Sequence, residues 1–364
     1  MTDTPVKNRL MIVDFARGIA AFLLVVVHTL WMYGTVETQF GEPLGRIVHM
    51  MGQMTAAFLI TMGVSFVLTR HQSMIYGVKR AITILLAGYL LNTLKFVVPI
   101  SVFGTMPENF IEAYGWSSPL SGGQLWYLFL TGDILQMAGV SFLIITVVRR
   151  FVTNKYMMLA LVVASILFAD LMKGTRVGID GVDYVLDLLW GQQWNVYFPV
   201  FPWISNILIG MFIGMHYLDT GRSEDSIRKV CFYISIAFLA IGLPLCFYSW
   251  DYHFNDFFHT GPGGAFYLIG INLFVFWVMA KFLFPIATSS SRFMKILRYL
   301  SQQVTSIYII QWVLVCWLMG FFGYQTMTSG QLLLLFPFMI AATLAIDYLL
   351  TRAPARLFGK KQGR

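Results

Sequence analysis

Charge is scarce in this sequence. Only 12% of its 364 residues are Asp, Glu, Lys or Arg, about half the roughly 25% of an ordinary soluble domain. That is too little to cover a water-exposed surface, so a soluble enzyme is excluded. Cysteine is scarce too. Three residues, Cys231, Cys246 and Cys316, cannot staple a chain this long, and all three fall in apolar runs that suit small buried thiols. The spacings CxxC and HExxH, the P-loop and a GxGxxG in a suitable context are all missing, so metal, redox and nucleotide-fold chemistry find no support. Disorder and collagen-like repeats fail as well, because 32 Phe, 20 Met and 10 Trp need an apolar environment.

Hydrophobic sequence is abundant: 58% of residues are apolar and the mean hydropathy is +0.71. A helix crossing the hydrocarbon core needs about 20 mostly apolar residues. Ten such runs occur, near 10–33, 47–69, 78–98, 124–148, 156–172, 198–218, 229–250, 264–284, 302–322 and 331–351. They predict an all-α polytopic membrane protein, a bundle of about ten transmembrane helices. A β-barrel would need alternating polarity, whereas Phe22 to Val27 and Leu332 to Phe336 are apolar throughout. The first run is too long for a signal-peptide core and no small-x-small cleavage site follows it, so it is expected to remain a helix.

The net charge of +8 is distributed unevenly. Twenty of the 25 Lys and Arg fall on the side of the termini, among them Lys7, Arg9, Arg70, Lys79, Arg80, Arg149, Arg150 and Lys155. The other side holds only Arg46, Lys95, Lys173 and Arg176, and Arg17 lies within the first helix. The positive-inside rule therefore puts both termini in the cytoplasm. One integral-membrane domain is expected over 1–364, ending in a basic cytoplasmic tail at 352–364. The basic residues form no stripe that would fit a groove, so nucleic acid is not an expected partner.

Charges inside a span cost about 2.5 kcal/mol upward, which makes each one a functional candidate. In the first helix Arg17 and His28 are eleven positions apart and fall within roughly 20° of one another, with Asp14 one turn before Arg17. Asp14 and Arg17 also suit an anchoring ion pair, and His28 an interhelical hydrogen bond. Asn92, Lys95, Asp133, Gln136, Asn206, Asn272 and Gln311 are further polar residues at span depth; together with the first helix they could line an internal cavity. Three outer segments, 99–123, 173–197 and 251–263, are longer than connectors need. Their residues Trp116, Trp190, Trp194 and Asn195 suit either an interfacial aromatic belt or a surface on which sugar rings stack.

The opening Arg9…Asp14-Phe-Ala-Arg17-Gly18…His28 resembles the first helix of the transmembrane acyltransferase superfamily, which includes the acyltransferase-3 proteins and the heparan-α-glucosaminide N-acetyltransferase-like proteins. Phe58 to Ser65 is similar to the Phe-rich segment of the second branch ending in Gly-Val-Ser. Arg80…Leu86, Gly88 and Asn92 resemble its Arg…Leu…Gly…Asn helix, and Ile134-Leu135-Gln136…Gly139-Val140 its Leu-Gln-x-x-Gly-Val stretch. Phe198-Pro199…Pro202-Trp203…Gly210…Gly214 is similar to a segment of its bacterial members. Leu300-Ser301…Ser306-Ile307-Tyr308 resembles the ending, except that Gln311 stands near the place where many relatives have His.

The resemblance implies an enzyme of the bacterial inner membrane that moves an acetyl group from cytoplasmic acetyl-CoA, without a metal, to a hydroxyl or amine of an extracytoplasmic glycan. A histidine would be the general base, or would carry the acetyl group. The acyltransferase-3-like spacing implies His28, while the lysosomal branch, with its histidine in the loop after the first helix, directs attention to His49. Arg17, Arg80, Asn92 and Gln136 would hold the acetyl-CoA, with the arginines on its phosphates. Trp116, Trp190, Trp194, Asn195 and Trp203 would meet the acceptor. Membrane lipids are expected partners, and a homodimer stays open. Two other classes remain: a transporter or flippase of a glycan or lipid-linked intermediate, suited by Pro199, Pro202 and Pro244 but without an inverted repeat, and a glycan-binding assembly protein.

Overall fold

The computed structural model describes residues 10–69, 73–289 and 291–357. Lys7, Arg9, Arg70 and residues 358–364 of the expected basic tail lie outside the described residues; residues 352–357 continue the last helix. Among the described residues, ten helices are long and apolar enough to cross a membrane: α1 Met11–Tyr33, α2 Pro43–Leu68, α3 Met74–Val102, α4 Ile134–Phe151, α5 Lys155–Met172, α6 Val200–Asp219, α7 Glu224–Tyr248, α8 Pro262–Ile286, α9 Val304–Phe322 and α10 Ser329–Thr351. Among the described residues there is no strand, only two isolated bridges, Gly34 with Met327 and Gly132 with Val196.

One boundary differs from the expectation. The apolar run at 124–148 is two helices, Gly122–Phe129 and α4. Asp133 stops the first continuing into the second: its carboxylate accepts from the Ile134 amide at 2.7 Å, and Gln136 Oε1 accepts from the Asp133 amide at 3.2 Å. This is a capping box, which satisfies donors that the first turn of a helix leaves orphaned.

The chain divides into two compact units. The first comprises residues up to 16, 53–90 and 130–294, with the deeply buried α6 at its centre. The second half of α2 (Thr55–Leu68) and α5 both pack on α6, and α7 pairs with α8. The crossing of α2 and α6 depends on glycine on both sides. A Cβ at Gly63 would stand 2.0 Å from the carbonyl oxygen of Ile207, and one at Gly210 would stand 2.0 Å from that of Ile60. Backbones this close exclude any side chain, a common membrane solution where dispersion replaces the hydrophobic drive.

The second unit comprises residues 17–52, 91–129 and 295 onward. The end of α1 is tied to the segment before α10, where Met327 N donates to Tyr33 O at 2.7 Å and Thr35 N to Met327 O at 3.0 Å. Tyr33 OH donates to the Val315 carbonyl of α9 at 2.7 Å. In this unit α3 ends in a wide π-helical stretch, Thr93–Val102, with Pro99 inside it. Such turns are rare and concentrate at functional sites.

Candidate active site

His28 lies in the second unit, in the penultimate turn of α1, 5% exposed. Its imidazole stacks on Trp312 of α9 with centroids 4.1 Å apart and planes 26° from parallel. Tyr308 presents an edge at 5.8 Å and Trp31 tilts at 5.5 Å. Gln311 Nε2 lies 2.7 Å from His28 Nδ1 and 3.1 Å from the carbonyl of Tyr308. The spacing 308, 311, 312 puts all three side chains on one face of α9.

The wide turn of α3 contributes a cation to this cluster. Lys95 is only 2% exposed, and its Nζ lies 4.8 Å from the centre of the Trp312 ring and 4.7 Å from that of Phe96. Aromatic faces attract an ammonium, the more strongly when water is excluded. The indole N–H of Trp317 donates to the Leu94 carbonyl at 2.7 Å, serving one of the backbone oxygens next to Lys95. His49 joins from the other side of Trp31, whose Nε1 donates to His49 Nδ1 at 3.4 Å, and Phe40 stacks on the His49 ring at 5.0 Å. The two histidines implied by the resemblance thus share one aromatic cluster, bridged by Trp31. Gln311 Oε1, Trp312 Nε1 and His49 Nε2 are buried with no hydrogen-bond partner among the described residues. Leaving such atoms unsatisfied costs on the order of 1–3 kcal/mol each, and it gives the cluster two kinds of hydrogen-bonding group to offer a solute.

The other expected site residues are spread more widely. Asp14 is buried near the start of α1, and Arg17 one turn on is half-buried. Arg80 belongs to the first unit, exposed, with Tyr76 OH at 3.4 Å and its guanidinium 5.4 Å from the Phe142 ring. Asn92 donates to the Phe129 carbonyl at 2.8 Å, closing the last turn of the helix Gly122–Phe129. Gln136 serves the α4 cap, and its amide packs so closely on Gly88 that a Cβ there would stand 2.8 Å from Gln136 Cδ. Its Nε2 is buried without a hydrogen-bond partner among the described residues. Trp116 stacks on Tyr114 at 5.1 Å in the second unit. Trp190 gives its N–H to the Thr175 carbonyl at 3.3 Å, and the carbonyl of Asn195 accepts from the Gly132 amide at 2.7 Å. Trp194 is 66% exposed, while Trp203, at 1%, has no face open to a solute and pins Phe258 through its N–H at 2.8 Å.

A polar pocket of about 360 Å³ opens in the first unit, lined by Asp170, Lys173, Gln192, Asp251, Tyr252, Asp256 and His259. It gathers residues of the 173–197 and 251–263 segments. Lys173 Nζ donates to the His259 carbonyl at 2.9 Å, and burial lowers its pKa against the opposing pull of Asp170 and Asp256. Tyr252 OH donates to Asp170, which with burial raises the phenol's pKa. Burial pushes the Asp256 carboxyl up, but the hydrogen bond from His259 and the Phe258 and His259 amides outweigh it and hold it below the ordinary value.

Lys95 stood out in the sequence as a polar residue at span depth on the sparsely basic side, and Gln311 as one near the place where many relatives have His. Trp31 and Trp312 carried no signal as partners of His28, because aromatic residues in apolar helices are ordinary core, and Tyr308 was marked only by its place in the segment that resembles the family's ending. No cluster of three or more His, Cys, Asp or Glu suited to a metal occurs among the described residues. Residues 9–243 match the family of the heparan-alpha-glucosaminide N-acetyltransferase catalytic domain. No curated protein matches the chain.

Proposed function

Because the chain belongs to the heparan-alpha-glucosaminide N-acetyltransferase catalytic-domain family, a family of membrane acetyltransferases, we propose that it transfers an acetyl group from cytoplasmic acetyl-CoA to a hydroxyl or amine of an extracytoplasmic glycan. It does so as a single integral-membrane domain with both termini in the cytoplasm, in a bacterial inner membrane. The observation that carries this proposal is the buried cluster of His28, Gln311, Trp312 and Lys95. It sets a titratable group of the right kind among polar atoms inside an otherwise apolar bundle.

Arg17 and the inner-side basic residues attract the phosphates of CoA, and the long pantetheine arm carries the thioester along the helices. His28 is the general base. Its imidazole takes the proton of the acceptor hydroxyl or amine as that atom bonds to the thioester carbonyl carbon. When the tetrahedral species collapses, the carbon–sulfur bond breaks and the imidazolium returns the proton to the departing thiolate. Lys95 and the indole N–H of Trp312 favour the negative charge that develops on the carbonyl oxygen, which preorganised donors in a dry site stabilise strongly. The polar pocket of Asp170, Lys173, Asp251 and Asp256, with exposed Trp194, suits the hydroxyls and rings of a sugar.

Purified protein in nanodiscs, given acetyl-labelled acetyl-CoA and cell-envelope glycan, tests this directly. Label reaches the glycan with the natural protein and with His49→Ala, and fails to reach it with His28→Ala although CoA still binds. Full transfer by His28→Ala would remove His28 from the role of base, and absence of CoA binding by the natural protein would remove the enzyme.

A further inference from the structure

Gln311 is completely buried, and its amide nitrogen has two acceptors. It stands 3.1 Å from the Tyr308 carbonyl oxygen and 2.7 Å from His28 Nδ1. A carbonyl oxygen can only accept, so the nitrogen end of the amide must face Tyr308. The same nitrogen then donates its other hydrogen to His28 Nδ1, which must hold a lone pair. Neutral imidazole carries one N–H, so the proton of His28 sits on Nε2. In that tautomer Nε2 is a donor and cannot take a proton from an acceptor group.

We propose that Gln311 is the positioning residue that sets which nitrogen of His28 holds the proton: Nε2 at rest, and Nδ1 only when the amide turns over and Oε1 receives the Nδ1 hydrogen. This inference rests on His28 being the base. Turning gives a donor to Oε1, which has none among the described residues, and surrenders the bond to Tyr308. The turned state therefore has one hydrogen bond fewer and is the minor one in the resting protein. In it Nε2 carries the lone pair that proton abstraction requires. A glutamate at this position could only accept, and would hold the proton on Nδ1 permanently. Leucine offers Nδ1 neither a donor nor an acceptor.

The test uses full-length protein with ¹⁵N-labelled histidine in nanodiscs, and reads the tautomer from the ring-nitrogen shifts. His28 is identified by the signals lost in His28→Gln. The expected result is a proton on Nε2 in the natural protein and on Nδ1 in Gln311→Glu. A proton on Nδ1 in the natural protein, or no change in Gln311→Glu, overturns the proposal. In turnover, Gln311→Leu removes the Oε1 acceptor that holds Nδ1–H while Nε2 takes the proton, so kcat falls at least tenfold and the KM for acetyl-CoA stays within twofold; an unchanged kcat also overturns the proposal. The spectra need no turnover, so they stand or fall separately from the acetyltransferase assignment, whose own failure appears as full transfer by His28→Ala.

Discussion

The two units use polar residues in different ways. In the first, helices are held by close backbone approach at Gly63 and Gly210, and the Asp133 and Gln136 side chains serve a helix terminus. In the second, the pair of Gln311 and His28, joining α9 and α1, is buried on both sides, and Tyr299 and Ser306 bond to the buried Asp347 of α10; side-chain pairs of the first unit, such as Tyr89 with Tyr184, Tyr267 with Gln53 and Tyr252 with Asp170, lie at half-buried or exposed positions. Side-chain pairs between distant segments fix ring and carboxylate orientation, which reaction chemistry needs and packing alone does not. Gly88, Gln136, Gly63 and Gly210 lie in segments that resemble the family's, and here each has a packing or capping task. The partners of His28 on α9 lie beyond residue 243, where the family match ends. The match thus covers the scaffold together with His28, Trp31, His49 and Lys95, and leaves out Gln311 and Trp312 of α9.

The strongest break in that comparison comes from His28→Ala. General-base catalysis contributes roughly 10²- to 10⁴-fold, so kcat should fall by about that factor while the thermal midpoint of the detergent-solubilised protein stays close to natural. The opposite pattern is expected of Gly210→Val. Its side chain would press on the Ile60 carbonyl, and overpacking costs typically 1–3 kcal/mol, so the yield of folded protein on size exclusion should drop while the surviving fraction turns over normally. A Gly210→Val protein that folds fully but is inactive would show that the first unit holds chemistry too.

Lys95→Met sharpens the comparison within the second unit. Methionine keeps the volume and the apolar contacts with Phe96 and removes the charge over Trp312, an interaction of about 0.5–2 kcal/mol. The expected result is a fall in kcat of roughly tenfold with CoA binding retained, measured by labelled transfer and equilibrium binding side by side. Equal loss of CoA affinity would move Lys95 from the acyl carbonyl to the phosphates.

The ten spans were legible because bilayer-length apolar runs leave few alternatives, and nine of the ten runs coincide with helices to within several residues. The fourth was misjudged, since Leu125 to Leu130 runs apolar up to Thr131-Gly132-Asp133, and hydropathy outweighed the capping signal of Asp133 with Gln136. At the site, His28 was visible as a titratable residue in an apolar helix. Its bond to Gln311 was not, because the two are 283 positions apart. Nor can a sequence declare the π-helical turn that carries Lys95, since wide turns have no residue code of their own. The buried Trp203 shows the same limit in reverse: a tryptophan that pins a loop and one that meets a sugar look identical in sequence.

The smallest expected effect concerns the polar pocket of the first unit. Asp256 is held below the ordinary carboxylate value, because the hydrogen bonds from His259 and from the Phe258 and His259 amides outweigh the upward push of burial. A carboxyl whose pKa is lower in the folded state stabilises that state fully above its unfolded value. That contribution is lost as pH falls through the lower, folded value. Hydrogen exchange at the Phe258 and His259 amides, corrected for intrinsic rates, should therefore stay protected from neutral pH down to the ordinary carboxylate range near 3.8 and weaken only below it. Asp256→Asn should exchange faster at neutral pH and lose that acid dependence. If protection already fell between pH 7 and 6, the loop would be held by a group other than Asp256, and the pocket would change shape within the range where the transfer reaction runs.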